Sequence, residues 1–414
     1  MGCYSILRKR ERRWGFDMEL VIVGNGPAAI SAAEAIRETE KSCGITVISK
    51  EKEPAYTPCF LSRYVSGEIG KERLYIKERD FYERNRINTI LGNAVTEIMP
   101  NDKKVRLSDG TELLYERLLM AAGSNPVVPK LPGIEGEGVF SFKTMTDADG
   151  ILSLVKKFSE VVVIGAGFIG LEIAEALSRR GVMVAVVERE DRILPRMLDK
   201  EIAEIVKKHI QGKGVKIHTG RDVVYIERDR KNKLKGVVLD KAGTIPCDFL
   251  IAAIGVKPNL EMLKDSLIMT GHGIIVDRHM ETNIPDIYAA GDIAEMEIGG
   301  IRKVNPVQMN AARGGWIAGC NMVGIERGFD AHLEDMNVVT LFGLSILSLG
   351  VQKGSRAIKR QSSSGMIKTY LKEDDSLNGV QITGDVRRGG LYLSLMRKGV
   401  PVSEKHRYSL ELFI

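Results

Sequence analysis

Paired cysteines are missing from the sequence. Its five cysteines are far apart and form neither a Cys-x-x-Cys pair nor the ligand spacing of a zinc site: Cys3, Cys43, Cys59, Cys247 and Cys320. This pattern argues against a disulfide scaffold and indicates a reducing, cytoplasmic compartment. The six histidines also lack ligand spacing and partner motifs, so we predict no metal site.

Long apolar runs and concentrated charge are also missing. No uncharged run reaches the roughly 18 residues that span a bilayer, so we expect no transmembrane helix. The net charge is +6, but half of it lies in residues 1–17, and the remaining charges are well mixed. This mixing argues against nucleic-acid binding. Residues 1–17 have no signal-peptide core, so we expect a disordered extension or a misplaced start, with the fold beginning at Met18.

The chain is long enough for several domains. At 414 residues, with 44% hydrophobic and 28% charged residues, it has the composition of a globular protein. At about 100–200 residues for each domain, this length favours two or three domains with a sizeable core.

A first Gly-rich turn follows an apolar segment near the start of the chain. Residues 20–23 predict a buried strand, and the Ala-rich residues 30–37 predict a helix. Between them, Gly24 permits a tight turn, Gly26 lets the backbone approach a pyrophosphate, and Ala29 keeps the helix close to the strand. Phosphate oxygens would then meet the N–H groups at the helix N-terminus. Strand, turn and helix in this order predict a dinucleotide-binding site.

The same pattern returns in the middle of the chain. Residues 161–164 predict a second buried strand, and residues 171–180 predict a second helix. Gly165, Gly167 and Gly170 supply the turn between them. The chain therefore contains two dinucleotide folds.

A carboxylate follows the next predicted strand, residues 182–187. Glu188 comes eighteen residues after Gly170, where a carboxylate accepts hydrogen bonds from an adenosine 2′-hydroxyl and repels a 2′-phosphate. This predicts NADH rather than NADPH as the ligand. Arg189 and Arg192 follow, and their charges soften that preference.

A third element carries one more carboxylate. Residues 284–290 predict a short apolar strand that stops at Gly291 and Asp292, and residues 308–322 predict a helix of small residues. A carboxylate at this place suits a ribityl hydroxyl and a flavin phosphate. An ordinary strand-to-helix turn has the same pattern, so both interpretations stay open.

Two linking motifs, Leu119-Met-Ala-Ala-Gly123 and Ile254-Gly-Val-Lys-Pro-Asn259, complete a family pattern. From Met18 onward, the chain resembles the two-dinucleotide-domain flavoprotein reductases, the FAD- and NAD(P)H-dependent pyridine nucleotide-disulfide oxidoreductases. Residues 56–67, with Cys59 as their single cysteine, are similar to the branch of NADH oxidases, coenzyme A-disulfide reductases and NADH-dependent persulfide reductases. Paired-cysteine reductases are excluded because the second cysteine is missing.

The resemblance implies an α/β fold with two Rossmann-like domains, the NAD domain being inserted in the FAD domain. A C-terminal α+β interface domain would form a homodimer. The expected boundaries are 1–17 for the extension, 18–142 and 259–324 for the FAD domain, 143–258 for the NAD domain and 325–414 for the interface domain.

The resemblance also implies roles for single residues. The first turn would bind FAD and the second NADH, with Asp292 on the ribityl chain. Phe168 would gate the flavin and Glu172 would lie beside the nicotinamide, unless they are ordinary core and helix residues. The expected cofactor contacts are Gly24, Gly26, Pro27, Ala28, Ala29, Glu51, Ala122, Gly123, Gly165, Gly167, Phe168, Ile169, Gly170, Glu172, Glu188, Gly255, Gly291 and Asp292.

The chain departs from its family pattern at several positions. Ser49 stands where relatives carry the carboxylate for the FAD ribose, so Glu51 or Glu53 must replace it or the contact is lost. Pro27 stands where the peroxide- and oxygen-reducing members have a histidine, which weakens the case for that chemistry. The C-terminal domain also has few of the tyrosines found in coenzyme A-disulfide reductases.

Cys59 lies in the pattern of a helix start. Thr57 suits the N-cap and Pro58 the first helical position, while Gly67 ends the helix. A thiol in the first turn has a lowered pKa, which favours the thiolate that attacks a disulfide or persulfide sulfur. The alternative is a buried structural cysteine, which we expect for Cys43, Cys247 and Cys320.

Together these features predict that hydride passes from NADH to FAD and that Cys59 then reduces a persulfide or disulfide, or oxygen accepts the electrons. One alternative is an NADH-dependent reductase of an electron-carrier protein such as rubredoxin, with no thiol step. Another is a non-catalytic protein that uses FAD and NADH as conformational ligands.

Overall fold

The computed structural model describes residues 18–241, 243–298, 301–329, 336–362, 365–399 and 401. The expectations about residues 1–17, including Cys3, lie outside this range. The chain divides into two compact units. Within the described residues, the first unit holds 18–61, 69–125 and the chain from 256 to 329, and the second holds 62–68, 126–255 and the chain from 336 onward.

The secondary-structure elements are numbered in chain order. The described α-helices are α1 (Pro27–Thr39), α2 (Leu61–Ser66), α3 (Phe81–Arg84), α4 (Met145–Leu154), α5 (Phe168–Arg179), α6 (Lys200–Gln211), α7 (Gln308–Asn321) and α8 (Gly389–Lys398). The described strands are β1 (Glu19–Val23), β2 (Gly44–Ser49), β3 (Ile87–Leu91), β4 (Val95–Met99), β5 (Lys104–Leu107), β6 (Glu112–Leu114), β7 (Arg117–Met120), β8 (Ser124–Pro126), β9 (Val139–Phe140), β10 (Glu160–Ile164), β11 (Met183–Glu188), β12 (Lys216–Thr219), β13 (Val223–Arg228), β14 (Leu234–Leu239), β15 (Gly243–Pro246), β16 (Phe249–Ala252), β17 (Val256–Pro258), β18 (Ile274–Ile275), β19 (Ile287–Ala289), β20 (Ala294–Ile298), β21 (Ile301–Val304), β22 (Met336–Leu341), β23 (Leu344–Gly350), β24 (Arg356–Ser362), β25 (Gly365–Leu371) and β26 (Leu377–Gly384).

The first unit is built on a parallel sheet with the strand order β19-β7-β1-β2-β3. The central strand β1 is apolar and buried from Leu20 to Val23, as is typical of a parallel strand covered on both faces. Helix α1 begins at Pro27, three residues before the predicted start, because the extended Gly26 is its N-cap residue.

Helices α1 and α7 pack against each other through small residues. A Cβ atom on Gly315 would lie 2.0 Å from the carbonyl oxygen of Ala28, and one on Gly319 would lie 2.5 Å from that of Ala32. The four residues recur at i and i+4 on both helices, so each pair of backbones is in direct contact. This packing explains the small-residue composition of α7.

The second unit contains a second parallel sheet, with the order β12-β11-β10-β16-β9, and an antiparallel sheet, with the order β22-β23-β26-β25-β24. Helix α8 covers one face of the antiparallel sheet, where Leu347, Val380, Ile382 and Tyr392 share a buried apolar cluster.

The order of the strands along the chain shows how the two dinucleotide folds are combined. The first sheet takes β1, β2, β3 and β7, the second takes β9 to β12 and β16, and the chain then returns to the first sheet with β19. Between β12 and β16, strands β13, β14 and β15 form a separate antiparallel sheet. The second fold is therefore inserted in the first, and the C-terminal sheet and helix follow both. This confirms the predicted α/β fold class with its C-terminal α+β part.

Candidate active site

The first Gly-rich turn is held between three strands of its own sheet. The Gly24 N–H donates to the carbonyl oxygen of Ile48 at 2.7 Å, and the Ala121 N–H donates to Val23 at 2.7 Å. Gly24 has a φ of +115°, and a Cβ atom there would lie 2.1 Å from the Ala121 carbonyl oxygen. Only glycine fits at this position.

The second glycine of the turn faces open space. A Cβ atom on Gly26 would meet no described atom within 4 Å. Gly26 is the N-cap of α1, and in the described part of the chain no side chain bonds to that helix terminus. By contrast, Thr144 and Asp199 cap α4 and α6 with their side chains. The uncapped N–H groups of α1 are arranged to receive a phosphate.

The second turn repeats this geometry. The Gly165 N–H donates to Val187 at 2.8 Å, and a Cβ atom on Gly165 would lie 2.4 Å from the Ala253 carbonyl oxygen. Gly167 is the N-cap of α5 and, within the described residues, has open space around its Cα and no side-chain cap. A Cβ atom on Gly170 would lie 2.0 Å from the carbonyl oxygen of Gly165, so the third glycine keeps α5 against the turn.

The carboxylate predicted at the end of β11 is buried and touches the second turn. Glu188 accepts the N–H of Ala166 at 2.7 Å through Oε2 and that of Glu190 at 2.9 Å through Oε1. Ser49 lies at the end of β2, and its hydroxyl accepts the Glu51 N–H at 3.2 Å. Like Glu188, Ser49 thus accepts the N–H of the residue two positions later, but it supplies no carboxylate.

Two glutamates were predicted as substitutes for the carboxylate missing at Ser49. Glu53 is engaged on both oxygens, with Lys71 Nζ at 3.3 Å and with the Tyr75 hydroxyl at 3.0 Å. Glu51 accepts the Tyr56 hydroxyl at 2.7 Å through Oε2. Glu51 therefore remains the better candidate for a ribose contact.

Asn25, between the two glycines of the first turn, is a polar residue that the sequence analysis did not select. Its Oδ1 accepts the Tyr82 hydroxyl at 2.9 Å, and that hydroxyl accepts the N–H of Ala55 at 3.0 Å. Its Nδ2 is buried and has no hydrogen-bond partner among the described residues. An unpaired buried donor is costly, so this amide and the open space at Gly26 fit a polar ligand such as the FAD diphosphate and its ribose.

Asp292 lies at the same edge of the first sheet. It follows β19, and its Oδ2 accepts the hydroxyl of Ser124 at 2.8 Å. Gly291 has a φ of +82°, and its Cα faces the Cβ of Ala28 in α1. Because the carboxyl ends of parallel strands meet at one edge, Asp292 and the first turn are brought to the same side of the sheet.

The remaining predicted contacts lie beside the two turns. Gly123 and Gly255 each come three residues after a strand, β7 and β16, and have φ values of +65° and +126°. A Cβ atom on either would meet no described atom within 4 Å. Ala28 and Ala29 are buried at the start of α1, where they pack inside the unit.

Cys59 lies on a short 3-10 helix, Pro58–Phe60, that continues into α2. Thr57 is the N-cap residue, as predicted, but its hydroxyl donates to Gln308 Oε1 at 2.7 Å instead of capping the helix. Gly67 follows α2 with a φ of +81°, which confirms the predicted stop. The hydroxyl bond ties the Cys59 turn to the first residue of α7.

Exposure separates Cys59 from the other cysteines. Of the four cysteines that the structure describes, Cys59 is exposed and Cys43, Cys247 and Cys320 are buried. Burial raises the pKa of these three thiols, that of Cys247 to about 12. They are held as protonated core groups, and the prediction that they are structural agrees with this arrangement.

Helix α5 carries Phe168 and Ile169 in its first turn and Glu172 one turn later. Burial, together with the charge of Glu175, raises the pKa of Glu172 to about 7. Glu175 itself bonds to Arg179 at 2.7 Å and accepts the N–H of Phe342 at 2.8 Å. Glu172 therefore changes charge near neutral pH, one turn behind the N-terminus of the helix.

No group of three or more histidine, cysteine, aspartate or glutamate side chains in the described chain could hold a metal ion. Among the same residues, no helix has the length and apolarity needed to cross a membrane.

Comparison with known proteins settles the family. Residues 18–314 match the family model described as pyridine nucleotide-disulphide oxidoreductase. The chain belongs to this family. FAD is the cofactor of the family, and the predicted membership is confirmed. The oxidoreductase is 32% identical over 398 residues to an NADH oxidase of Methanocaldococcus jannaschii, with 89% of this chain and 88% of that protein covered.

Two further similar proteins are named for different electron acceptors. The oxidoreductase is 31% identical over 375 residues to an NADH-rubredoxin oxidoreductase of Clostridium acetobutylicum, covering 90% of this chain and 92% of that protein. Among solved structures, it is similar to an NAD-dependent persulfide reductase from A. fulgidus, with a TM-score of 0.87, 28% identity and coverage of 93% and 78%. The chain is an FAD-dependent NADH oxidoreductase.

Proposed function

We propose that this enzyme passes two electrons from NADH to the sulfur of a persulfide or disulfide through Cys59. The observation that carries the proposal is the exposure of Cys59, in contrast to the burial of Cys43, Cys247 and Cys320. An exposed thiol on a helical turn can reach a dissolved sulfur compound, whereas a buried one cannot. The similarity to an NAD-dependent persulfide reductase supports the same acceptor class.

The thiol step is balanced for a persulfide RSSH. The Cys59 thiolate attacks the outer sulfur, which forms a Cys59 persulfide and releases the thiolate RS⁻. Two electrons from NADH then break the new S–S bond, release hydrosulfide and restore the Cys59 thiolate. FAD, when bound, accepts the hydride of NADH and gives up the same two electrons. Oxygen would accept electrons without this thiol step.

The two turns are assigned to different dinucleotides in this proposal. The uncapped terminus of α1, Gly26 and the unpaired amide of Asn25 would hold FAD, with Asp292 on its ribityl chain. The uncapped terminus of α5 and Glu188 would hold NADH, and the buried carboxylate would disfavour the 2′-phosphate of NADPH.

A second candidate is the reduction of an electron-carrier protein. Helix α7 carries Met309 and Trp316, which are 81% and 38% exposed and lie seven residues apart, on one face of the helix. In this candidate function the two side chains would contribute to the surface on which a carrier protein docks. The similarity to an NADH-rubredoxin oxidoreductase favours the same candidate.

A homodimer formed by the C-terminal sheet is also part of the proposal. Its edge strand β22 exposes Met336 and Val338, with exposed fractions of 42% and 51%. An apolar edge strand favours pairing with another chain. Light scattering of wild type and of a Val338→Lys variant tests this, because a charge on the edge should yield monomers.

The acceptor is tested by NADH oxidation with persulfide, polysulfide, disulfide, oxygen, ferricyanide and rubredoxin. Cys59→Ser should lower the persulfide and disulfide rates by orders of magnitude, because a hydroxyl is not ionised near neutral pH. Rates with ferricyanide and oxygen should persist. The matched control Cys320→Ser removes a buried thiol and should keep every activity. Undiminished persulfide turnover in Cys59→Ser would favour the carrier-protein candidate.

A further inference from the structure

The segment after β11, residues 189–199, is hydrogen-bonded to the second Gly-rich turn. The Leu194 N–H donates to the carbonyl oxygen of Ala166 at 2.9 Å, while the Ala166 N–H donates to Glu188. Leu194 has a φ of +47° and is buried, and its own carbonyl oxygen accepts the N–H groups of Met197 and Leu198 at 2.9 Å each. Ala166 is therefore held at its N–H by Glu188 at the end of β11 and at its carbonyl oxygen by the segment that follows.

The far end of this segment is bound by the C-terminal sheet. The carbonyl oxygen of Met197 accepts the hydroxyl of Ser348 at 2.9 Å and Nε2 of Gln381 at 2.8 Å. Ser348 lies on β23 and Gln381 on β26, and their exposed fractions are 2% and 0%. Gln381 Oε1 also accepts the N–H of Asp199 at 3.3 Å and the Tyr370 hydroxyl at 3.2 Å.

These polar residues stand out from the pattern of their strands. Side chains alternate between the two faces of a strand, and the neighbours Val380 and Ile382 of Gln381 lie in the apolar cluster under α8. A buried amide or hydroxyl is costly unless it is hydrogen-bonded. The opposite face of the sheet is therefore specialised for binding the 189–199 segment by hydrogen bonds.

Asp199 strengthens the same attachment. Its Oδ1 caps α6 by accepting the Ile202 N–H at 2.9 Å, and its Oδ2 accepts from Lys368 Nζ and from the Tyr370 hydroxyl. These contacts lower the pKa of Asp199 against the effect of its burial, which keeps the carboxylate charged. The segment is thus held at Met197 and at Asp199 by residues from β23, β25 and β26.

We propose that Ser348 and Gln381 are positioning residues for NADH. Through Met197 and Leu194 they hold the carbonyl oxygen of Ala166, next to the N-cap residue Gly167, and so set the position of the N–H groups at the start of α5. The inference rests on the proposed assignment of the second turn to NADH. It gives the C-terminal sheet a role in NADH binding that is separate from any dimer contact.

The test measures the steady-state KM for NADH of the FAD-loaded enzyme with ferricyanide as the electron acceptor. The double variant Ser348→Ala/Gln381→Leu removes both bonds to Met197 and should raise this KM about ten-fold, with FAD content and kcat unchanged. The single variants should have smaller effects, and Ser348→Thr, which keeps the hydroxyl, should bind NADH like the wild type. Val380→Ala is the matched control, since it opens the apolar cluster on the opposite face and should lower the Tm without changing the KM.

Two results would overturn the inference, and a third would point to a different failure. A folded double variant with wild-type KM would show that the attachment is merely structural. So would a KM that rises equally in Val380→Ala. If Glu188→Ser also leaves the KM unchanged, the assignment of the second turn to NADH fails, and the positioning role fails with it.

Discussion

The carboxylate of Glu188 accepts the backbone N–H of Ala166 at 2.7 Å, so the end of β11 holds the second Gly-rich turn from the side. In the first turn the matching position is Ser49, which has no carboxylate to offer. Glu188 therefore supports the second turn, and in the proposed function the same carboxylate would also meet the adenosine ribose of NADH.

Glu188→Ser should raise the KM for NADH by about ten-fold and improve the use of NADPH, because the repulsion of a 2′-phosphate is lost. Steady-state kinetics with both nucleotides measure the ratio of kcat/KM for NADH to kcat/KM for NADPH. Glu190→Ser is the matched control, since its carboxylate is on the exposed side of the same segment. Unchanged discrimination in Glu188→Ser would remove this residue from the nucleotide site.

Gly24 and Gly26 should respond to substitution in different ways. Gly26→Val has space for its side chain and a compatible backbone, so the apoprotein should keep its Tm while the Kd for FAD rises about 100-fold or more. Gly24→Ala should lower the Tm itself, because its Cβ meets the Ala121 carbonyl oxygen. Thermal melts and FAD titration separate the two effects, and Gly167→Val should instead raise the KM for NADH and retain FAD.

Glu172 should make stability depend on pH. Its folded pKa of about 7 is above the ordinary value, so the folded state binds more protons than the unfolded state between about pH 4.5 and 7. Wild type should therefore lose stability relative to Glu172→Gln as the pH rises through this window, by roughly 2–3 kcal/mol at pH 8. Urea unfolding at pH 5 and pH 8 measures the difference. An equal difference at both values would contradict the raised pKa.

Alkylation should distinguish the cysteines. Iodoacetamide should modify Cys59 at least about ten-fold faster than Cys43, Cys247 or Cys320, because these are buried and their thiols have raised pKa values. Peptide mass spectrometry at short times measures the four rates. Prior incubation with a persulfide should leave Cys59 alkylated through one additional sulfur atom, which peptide mass spectrometry detects, whereas the additional sulfur at Cys320 instead of Cys59 would argue against a thiol step at Cys59.

The two turns could be predicted because their chemistry is local. Gly24 and Gly165 have positive φ values next to a neighbouring carbonyl, and such positions require glycine in any sequence that makes this turn. The apolar strands before them and the small residues after them are equally local. For the same reason the start of the Cys59 helix and its end at Gly67 were visible in the sequence.

The contacts that could not be predicted from the sequence all join residues that are far apart along the chain. Thr57 bonds to Gln308, and Asn25 is oriented by Tyr82, although an N-cap pattern and a Gly-rich turn suggest only nearby partners. From the sequence alone, a glutamine in a β-strand such as Gln381 is expected to face solvent. The structure shows that it bonds instead to the carbonyl oxygen of Met197. Period-two alternation shows that such a residue points away from the apolar face, but not what lies on the other side.

The third position of the two Gly-rich turns differs by one methyl group. Ala29 is buried behind the first turn, whereas a Cβ atom on Gly170 in the second would lie 2.0 Å from the Gly165 carbonyl oxygen. At this third position, replacing alanine with glycine is therefore sterically allowed in the first turn, whereas replacing glycine with alanine is not in the second. A lineage could exchange Ala29 for glycine at a small cost, but a single step from Gly170 to alanine passes through a steric collision, which is a barrier to making the second site a copy of the first.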